Sequence, residues 1–269
     1  MKIKALLCDV DGTLIDTVEV IQRGQYEAAI QHYLAVGLQK VDLPTYDAYQ
    51  EALLKVVGGH VRDTLEATSH LLFANRPDII TKLDFDEMTQ IMRPIQEELA
   101  LTLVRPYEGL QSLLRYLGEH SIRFGIFTSG RPHHLVCNFG TALPELGLKD
   151  LYKQKDKTDY EMLHELIGAM EKNFGLRDIV VITGDDVAAR KPDPESIFAA
   201  CEKFGMSSED IAVLGDHKVD MQAASNARVP VRIGVVHGFD DSETLMAAGA
   251  TTTITNLANV AASLESSRK

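Results

Sequence analysis

Four short stretches of the chain carry residue types that could do chemistry together. Cys8-Asp9-Val10-Asp11-Gly12-Thr13-Leu14 sets two carboxylates with a single residue between them. Hard oxygen donors of this kind suit Mg²⁺, which takes carboxylates and substrate phosphate oxygens, and Gly12 admits a backbone bend that side chains resist. Phe127-Thr128-Ser129-Gly130-Arg131-Pro132 offers a hydroxyl, small residues and free N–H groups at a helix start. Thr128, Ser129 and Gly130 there could cradle an oxyanion or a phosphate. In Ala189-Arg190-Lys191-Pro192-Asp193-Pro194 an ammonium precedes a Pro-rich helix start, where it could balance clustered carboxylates and a transferring phosphoryl group. Leu214-Gly215-Asp216-His217-Lys218-Val219-Asp220 adds two carboxylates four apart. If a helix starts after His217, both can face the point where Asp9 and Asp11 stand. Four carboxylates around one point need a cation at neutral pH, or some of their pKa values must rise; Mg²⁺ is the simplest cation to supply.

Taken singly, each stretch has a plainer reading: an Asp-Gly turn, a Ser cap before a helix, a solvated lysine, and Asp216 as a helix cap with Asp220 on the surface. Their joint placement favours chemistry, because all four fall at or just after the ends of predicted strands. Buried strands are expected at 3–8, 122–128, 179–183, 211–214, 229–235 and 251–254. Helix-period segments alternate with them at 110–119, 132–142, 160–174, 194–204, 219–227, 242–248 and 257–266. Strands alternating with helices predict a parallel sheet covered on both faces, an α/β fold of Rossmann-like type. One region breaks the rule. Helical patterns run through 18–35, 45–56, 61–73 and 85–103, with Arg93-Pro94 expected to kink or split the last, and no strand is expected from Thr17 to Leu103. The expected division is a core of residues 1–16 and 105–269 with an all-helical cap domain of residues 17–104, inserted where open α/β sheets bind their ligands. The crossings fall near Asp16-Thr17 and Val104–Pro106.

Composition bounds the partners. The chain has 269 residues, 27 Lys and Arg against 39 Asp and Glu, and a formal net charge of −12. That excludes a non-specific nucleic-acid binder, which needs a basic face, but not an anionic substrate held by a metal and local cations. There is no apolar run of about 18 residues to cross a membrane and no signal-peptide pattern is expected at the start. Cys8, Cys137 and Cys201 are three cysteines without CxxC spacing, so a zinc cluster or disulfide scaffold is not expected and a cytoplasmic location is. Oligomeric state is left open.

With those motifs in order, Asp9-Val10-Asp11-Gly12-Thr13-Leu14-Ile15-Asp16-Thr17, Thr128-Ser129, Lys191 in Lys-Pro-Asp-Pro, and Gly215-Asp216-His217-Lys218-Val219-Asp220, the chain resembles the haloacid dehalogenase superfamily. The helical insertion is similar to the cap of the subclass that holds phosphoglycolate phosphatases and beta-phosphoglucomutases. The resemblance implies a phosphoric monoester hydrolase acting on a small phosphorylated metabolite. By it, Asp9 is the nucleophile and Asp11 the acid and base, with its backbone carbonyl on Mg²⁺. Thr128 holds a phosphoryl oxygen and Lys191 orients Asp9. Asp216 ligates the metal, and Asp220 is a ligand or lies just behind one. Gly59–Leu65 looks like the family's substrate-contacting segment, with Arg62 a candidate for gripping a second anionic group. Dehalogenase chemistry is set aside because Asp11 belongs to the phosphoryl-transfer branch. A sugar-phosphate mutase uses the same core residues and stays open beside the phosphatase; a non-catalytic binding module is the third reading.

Overall fold

The computed structural model describes residues 3–56 and 61–266. In chain order it runs β1 (Ala5–Cys8), β2 (Ile15–Asp16), α1 (Val18–Ala35), α2 (Tyr46–Leu54), α3 (Val61–Leu72), α4 (Pro77–Ile80) and α5 (Phe85–Leu103). It continues with β3 (Arg105–Pro106), α6 (Leu110–Glu119), β4 (Arg123–Phe127), α7 (Pro132–Ala142), α8 (Asp159–Phe174), β5 (Val180–Ile182) and α9 (Glu195–Phe204). The last elements are β6 (Ile211–Gly215), α10 (Lys218–Asn226), β7 (Val231–Val235), α11 (Ser242–Ala247), β8 (Thr252–Ile254) and α12 (Val260–Ser266). The chain divides into two compact units, Met1–Thr17 with Val104–Lys269, and Val18–Leu103.

The first unit is built on a six-stranded sheet of order β5-β4-β1-β6-β7-β8, parallel at every pairing. Ala-Leu-Leu-Cys of β1 is buried at all four positions, as a central strand covered on both faces must be. Helices carry the matching stripes: α6 turns Leu110, Leu113, Leu114 and Leu117 inward, the 3.6-residue period in plain form. Chain order leaves β1 for β4 and β5 on one side and for β6, β7 and β8 on the other. The reversal opens a crevice beyond the carboxyl end of β1, where open α/β sheets take their ligands. This is the α/β architecture with a helical insertion that alternation of strand and helix patterns predicts.

Register fixes what meets in that crevice. Cys8 of β1 lies opposite Ile126 of β4 and Leu214 of β6. Asp9 is one residue past Cys8, Thr128 two past Ile126, and Asp216 two past Leu214. Three residues far apart in the chain therefore leave the sheet at nearly one level.

Where the chain leaves and re-enters this unit, β2 and β3 pair antiparallel, Ile15 with Pro106 and Asp16 with Arg105. Strands of two residues are too short to show a period, which is why they are invisible in the sequence pattern. The second unit is helical, and α1 and α3 both pack on α5. Its core gathers Ala29, Tyr33, Tyr49, Leu53, Leu65, Phe73 and Phe85. Pro94 does not split α5, which runs unbroken through it. Proline inside a helix costs about 3 kcal/mol, and burial of Phe85, Met88, Met92 and Ala100 along the same helix offsets that at about 1.5–3 kcal/mol for each large side chain.

Candidate active site

Asp9 is nearly buried at the end of β1, with its N–H bonded to Leu214 O at 2.9 Å. Lys191 reaches it from the loop before α9: Nζ donates to Asp9 Oδ1 at 2.6 Å, to Asp220 Oδ1 at 2.6 Å and to Phe127 O at 3.1 Å. The same ammonium stands 4.2 Å from the centre of the Phe127 ring. A lysine this deeply buried persists only with such partners. Burial works against its charge, but Asp220 and Asp9 outweigh it and hold the pKa above the ordinary lysine value.

Asp216 follows β6 and is held on every side. Thr13 Oγ1 donates to Oδ1 at 2.5 Å and the Phe239 N–H to Oδ2 at 2.9 Å. Glycine is required at two points around it. A Cβ on Gly12, whose φ is +81°, or on Gly238 would collide with the Asp216 carboxylate. Asp220 stands in the first turn of α10, where its Oδ2 accepts the His217 N–H at 3.1 Å. His217 is the N-cap, with Nδ1 accepting from Val219 N at 3.4 Å. Burial pushes its imidazole below the ordinary pKa, against Asp220 and Asp240. So the cap of α10 is His217 and not Asp216, which leaves Asp216 facing the crevice.

Asp9, Asp216 and Asp220 each bring an oxygen to within 4.8 Å of the others. Burial raises the Asp9 pKa well above the carboxylate range, with Asp220, Asp216 and Asp11 adding to the rise against Lys191. Burial first, then Asp220, pushes Asp216 up to about 7. Burial is the main cause, and a shortage of positive charge adds to it: three carboxylates share one ammonium, so full ionisation leaves two negative charges in low dielectric. Clustered hard oxygens with two charges to neutralise fit a divalent cation of the Mg²⁺ type.

Asp11 stands apart from that cluster. Its Oδ1 accepts from Thr17 Oγ1 at 2.9 Å and from Asn138 Nδ2 at 3.1 Å. Burial raises its pKa, and Thr17, Lys191 and Asn138 oppose the rise. Four carboxylates at one point are thus three clustered side chains and a fourth turned to neutral donors. Beyond β4 the Gly130 N–H donates to Thr128 Oγ1 at 2.9 Å. The turn is pinned from outside, because Gly184 N donates to Gly130 O at 3.0 Å and Arg190 Nη1 to Ser129 O at 3.4 Å. Arg131 pairs with Asp185 at 3.5 Å on the exposed rim.

The structure therefore brings together Asp9, Asp11, Thr128, Ser129, Gly130, Lys191, Asp216 and Asp220. Arg62 belongs to the helical unit, where Nε donates to Asp86 at 3.0 Å and Nη1 to Glu66 at 2.9 Å. Gly59 and His60, in front of it, lie outside the described residues. Three contributors carried no signal of their own. Asn138 is one polar residue in a helix, and the Gly238-Phe239 backbone and the Tyr107–His237 pair come from loops. Tyr107 OH donates to His237 O at 3.1 Å, and the His237 ring nitrogen Nε2 sits 3.0 Å from Thr13 O. Thr13 and Thr17 lie inside the first motif, and only their pairing with Asp216 and Asp11 was hidden.

Comparison with known proteins agrees with this geometry. The model of a family described as haloacid dehalogenase-like hydrolase matches residues 3–228. The N-acetylmuramic acid 6-phosphate phosphatase of Pseudomonas aeruginosa is 25% identical over 245 residues, covering 90% of this chain and 87% of its own. The pyrophosphatase PpaX of Bacillus velezensis is 25% identical over 246 residues, covering 91% and 89%. In fold, a predicted phosphoglycolate phosphatase from Haemophilus somnus superposes with a TM-score of 0.69 at 16% identity, over 97% of this chain and 98% of that one.

Proposed function

The chain belongs to the haloacid dehalogenase-like hydrolases, and from that premise we propose that it is a Mg²⁺-dependent phosphatase that hydrolyses a small phosphate monoester through an aspartyl-phosphate on Asp9. The observation that carries the reading is the buried Lys191 ammonium, 2.6 Å from Asp9 Oδ1 and 2.6 Å from Asp220 Oδ1, with Asp216 alongside. A buried charge imbalance of this kind is costly, and such perturbed groups cluster where a reaction uses them.

Asp9 attacks the phosphorus, the phosphorus–ester oxygen bond breaks, and Asp11 gives its proton to the departing oxygen. Water then attacks the phosphorus of the aspartyl-phosphate and gives a proton to Asp11, the bond from phosphorus to the Asp9 oxygen breaks, and phosphate leaves with both carboxyl groups restored. One hard displacement becomes two easier ones, and the protein's part is positioning and charge. Lys191 aims Asp9, and the Thr128 hydroxyl with the Ser129 and Gly130 turn receives phosphoryl oxygens. Asp9, Asp216 and Asp220, with the main-chain carbonyl of Asp11, would hold Mg²⁺, which when bound stabilises charge on the phosphoryl oxygens. Arg62 is assigned to a second anionic group of the substrate, in competition with Glu66 and Asp86. Relatives named for N-acetylmuramic acid 6-phosphate and for pyrophosphate support a small phosphorylated substrate.

The test is phosphate release from a panel of small esters, with Mg²⁺ and with EDTA, by the wild type and by Asp9→Asn. Metal-dependent release that Asp9→Asn abolishes, with its melting transition intact, is expected. Residual release by Asp9→Asn within about tenfold of wild type refutes the nucleophile, since losing a covalent nucleophile costs orders of magnitude more. Isomerisation of a hexose 1-phosphate without release would make the enzyme a mutase.

A further inference from the structure

Asn138 has no part in the mechanism above, yet it is a buried amide aimed at the acid and base. It lies six residues into α7 and is 9% exposed. Its Nδ2 donates to Asp11 Oδ1 at 3.1 Å, across 127 residues of chain. Thr17 Oγ1 donates to the same oxygen at 2.9 Å. Among the described residues, both side-chain hydrogen bonds given to the Asp11 carboxyl end on Oδ1. The other oxygen faces the Thr128 turn: a Cβ built on Gly130 would stand 3.6 Å from Asp11 Oδ2 and 3.2 Å from Thr128 Oγ1.

From this geometry we infer that Asn138 is a positioning residue for the proposed reaction, holding Asp11 through Oδ1 so that Oδ2 carries the proton to and from the phosphate turn. An oxygen that already accepts two hydrogen bonds is a poor place for a proton, because a proton there would displace a donor. Oδ2 has the opposite setting. It gives its proton to the ester oxygen as the phosphorus–oxygen bond breaks, and takes one from water in the second step, while Oδ1 keeps the same two partners throughout. A single donor from the Thr17 side lets the carboxyl rotate about its Cβ–Cγ bond. A second donor from a packed helix fixes the plane. Proton transfer demands such geometry before it demands a matched pKa.

The inference rests on the phosphatase reading, and the experiment separates the two. Wild type, Asn138→Leu and Asn138→Ala are assayed on an alkyl phosphate and on 4-nitrophenyl phosphate, with melting curves for each protein. The alkyl oxygen cannot leave without a proton, whereas 4-nitrophenolate can. kcat/KM reports the steps up to leaving-group departure. Expected is a fall of about 10–100-fold in kcat/KM for the alkyl ester against less than about threefold for 4-nitrophenyl phosphate, because a positioned general acid supplies roughly 10²–10⁴-fold. Asn138→Leu keeps the branched outline without the donor and Asn138→Ala avoids any clash, so one variant serves if the other melts early. Equal falls on both esters in a folded variant overturn the positioning role and leave Asn138 a packing residue. Failure of the wild type to release phosphate from either ester overturns the phosphatase reading itself.

Discussion

Removing the divalent cation should expose the cost of crowding carboxylates around Asp216, and that cost should depend on pH in a definite direction. In the folded chain Asp216 is pushed from an ordinary 3.8 to about 7, by burial and then by Asp220. An acid with a raised folded pKa binds more protons folded than unfolded, so stability is lost as pH rises from about 4 to about 7 and stays lost above. A rise from 3.8 to about 7 corresponds to about 4 kcal/mol in full. Between pH 5 and pH 8 the share is about 2–3 kcal/mol, which for a chain this long is roughly 5–10 °C of melting temperature. Burial moves Asp9 the same way, whereas exposed acids held low by their partners, such as Glu161 and Asp241, titrate below this window. His217, held low by burial, opposes the trend, since it resists charging when folded. The assay is melting temperature in EDTA at pH 5 and pH 8 for wild type and Asp216→Asn, then in millimolar Mg²⁺. Wild type should melt lower at pH 8 than Asp216→Asn does relative to its own pH 5 value. Mg²⁺ should stabilise wild type far more at pH 8 than at pH 5, because protons compete for the same oxygens. Identical pH profiles for the two proteins in EDTA, or equal Mg²⁺ stabilisation at both pH values, would refute the reasoning.

Lys191→Met should cost about 3–5 kcal/mol in EDTA at pH 8, the penalty for stranding buried carboxylates; urea unfolding checks it, and a loss under 1 kcal/mol would show that Asp9 and Asp220 do not depend on the ammonium. Gly12→Ala should strain a backbone at φ +81° and push on Asp216, lowering stability by about 1–3 kcal/mol and weakening Mg²⁺ binding measured by calorimetry; unchanged affinity would argue that Asp216 moves freely. Arg62→Ala should change the ranking of natural phosphate esters while hydrolysis of 4-nitrophenyl phosphate stays within about twofold. Its solvent-facing ion pairs with Glu66 and Asp86 contribute little to stability, so the melting temperature should stay close to that of wild type. A uniform loss on all esters would remove Arg62 from substrate choice.

Much of the molecule was legible in order, because the strand ends and the chemistry coincide in the sequence. Leu110–Glu119, Pro132–Ala142 and Phe85–Leu103 are helices with the limits their periodicity predicts. Asp9, Thr128 and Asp216 were visible because each follows a buried apolar run. What stayed hidden depends on register and on distant partners. The β2–β3 pairing joins residues 15–16 to 105–106 across a whole helical unit. Asn138 meets Asp11 only because α7 packs beside β2. The Phe239 N–H reaches Asp216 only because the loop after β7 folds over β6. Such partners leave no mark on local composition.

The division between Asp9 and Asp11 follows from the same distant partners. The two carboxylates are two residues apart and both are drawn out of water, so burial raises both. Their neighbours differ in kind. Asp9 has an ammonium at 2.6 Å, which favours the charged form a nucleophile needs, and any divalent cation held by Asp216 and Asp220 acts in the same sense. Asp11 has a hydroxyl and an amide on one oxygen. Those donors oppose the rise that burial gives Asp11, as Lys191 opposes the rise at Asp9; the two carboxyls differ in that neutral groups hold one and a full charge holds the other. The proposed reaction needs the two in different protonation states, and the charge that a divalent cation would add stands on the side of Asp9, with Asp216 and Asp220. The motif supplies the two carboxylates; Lys191 and Asn138, from loops and helices far along the chain, make them unlike.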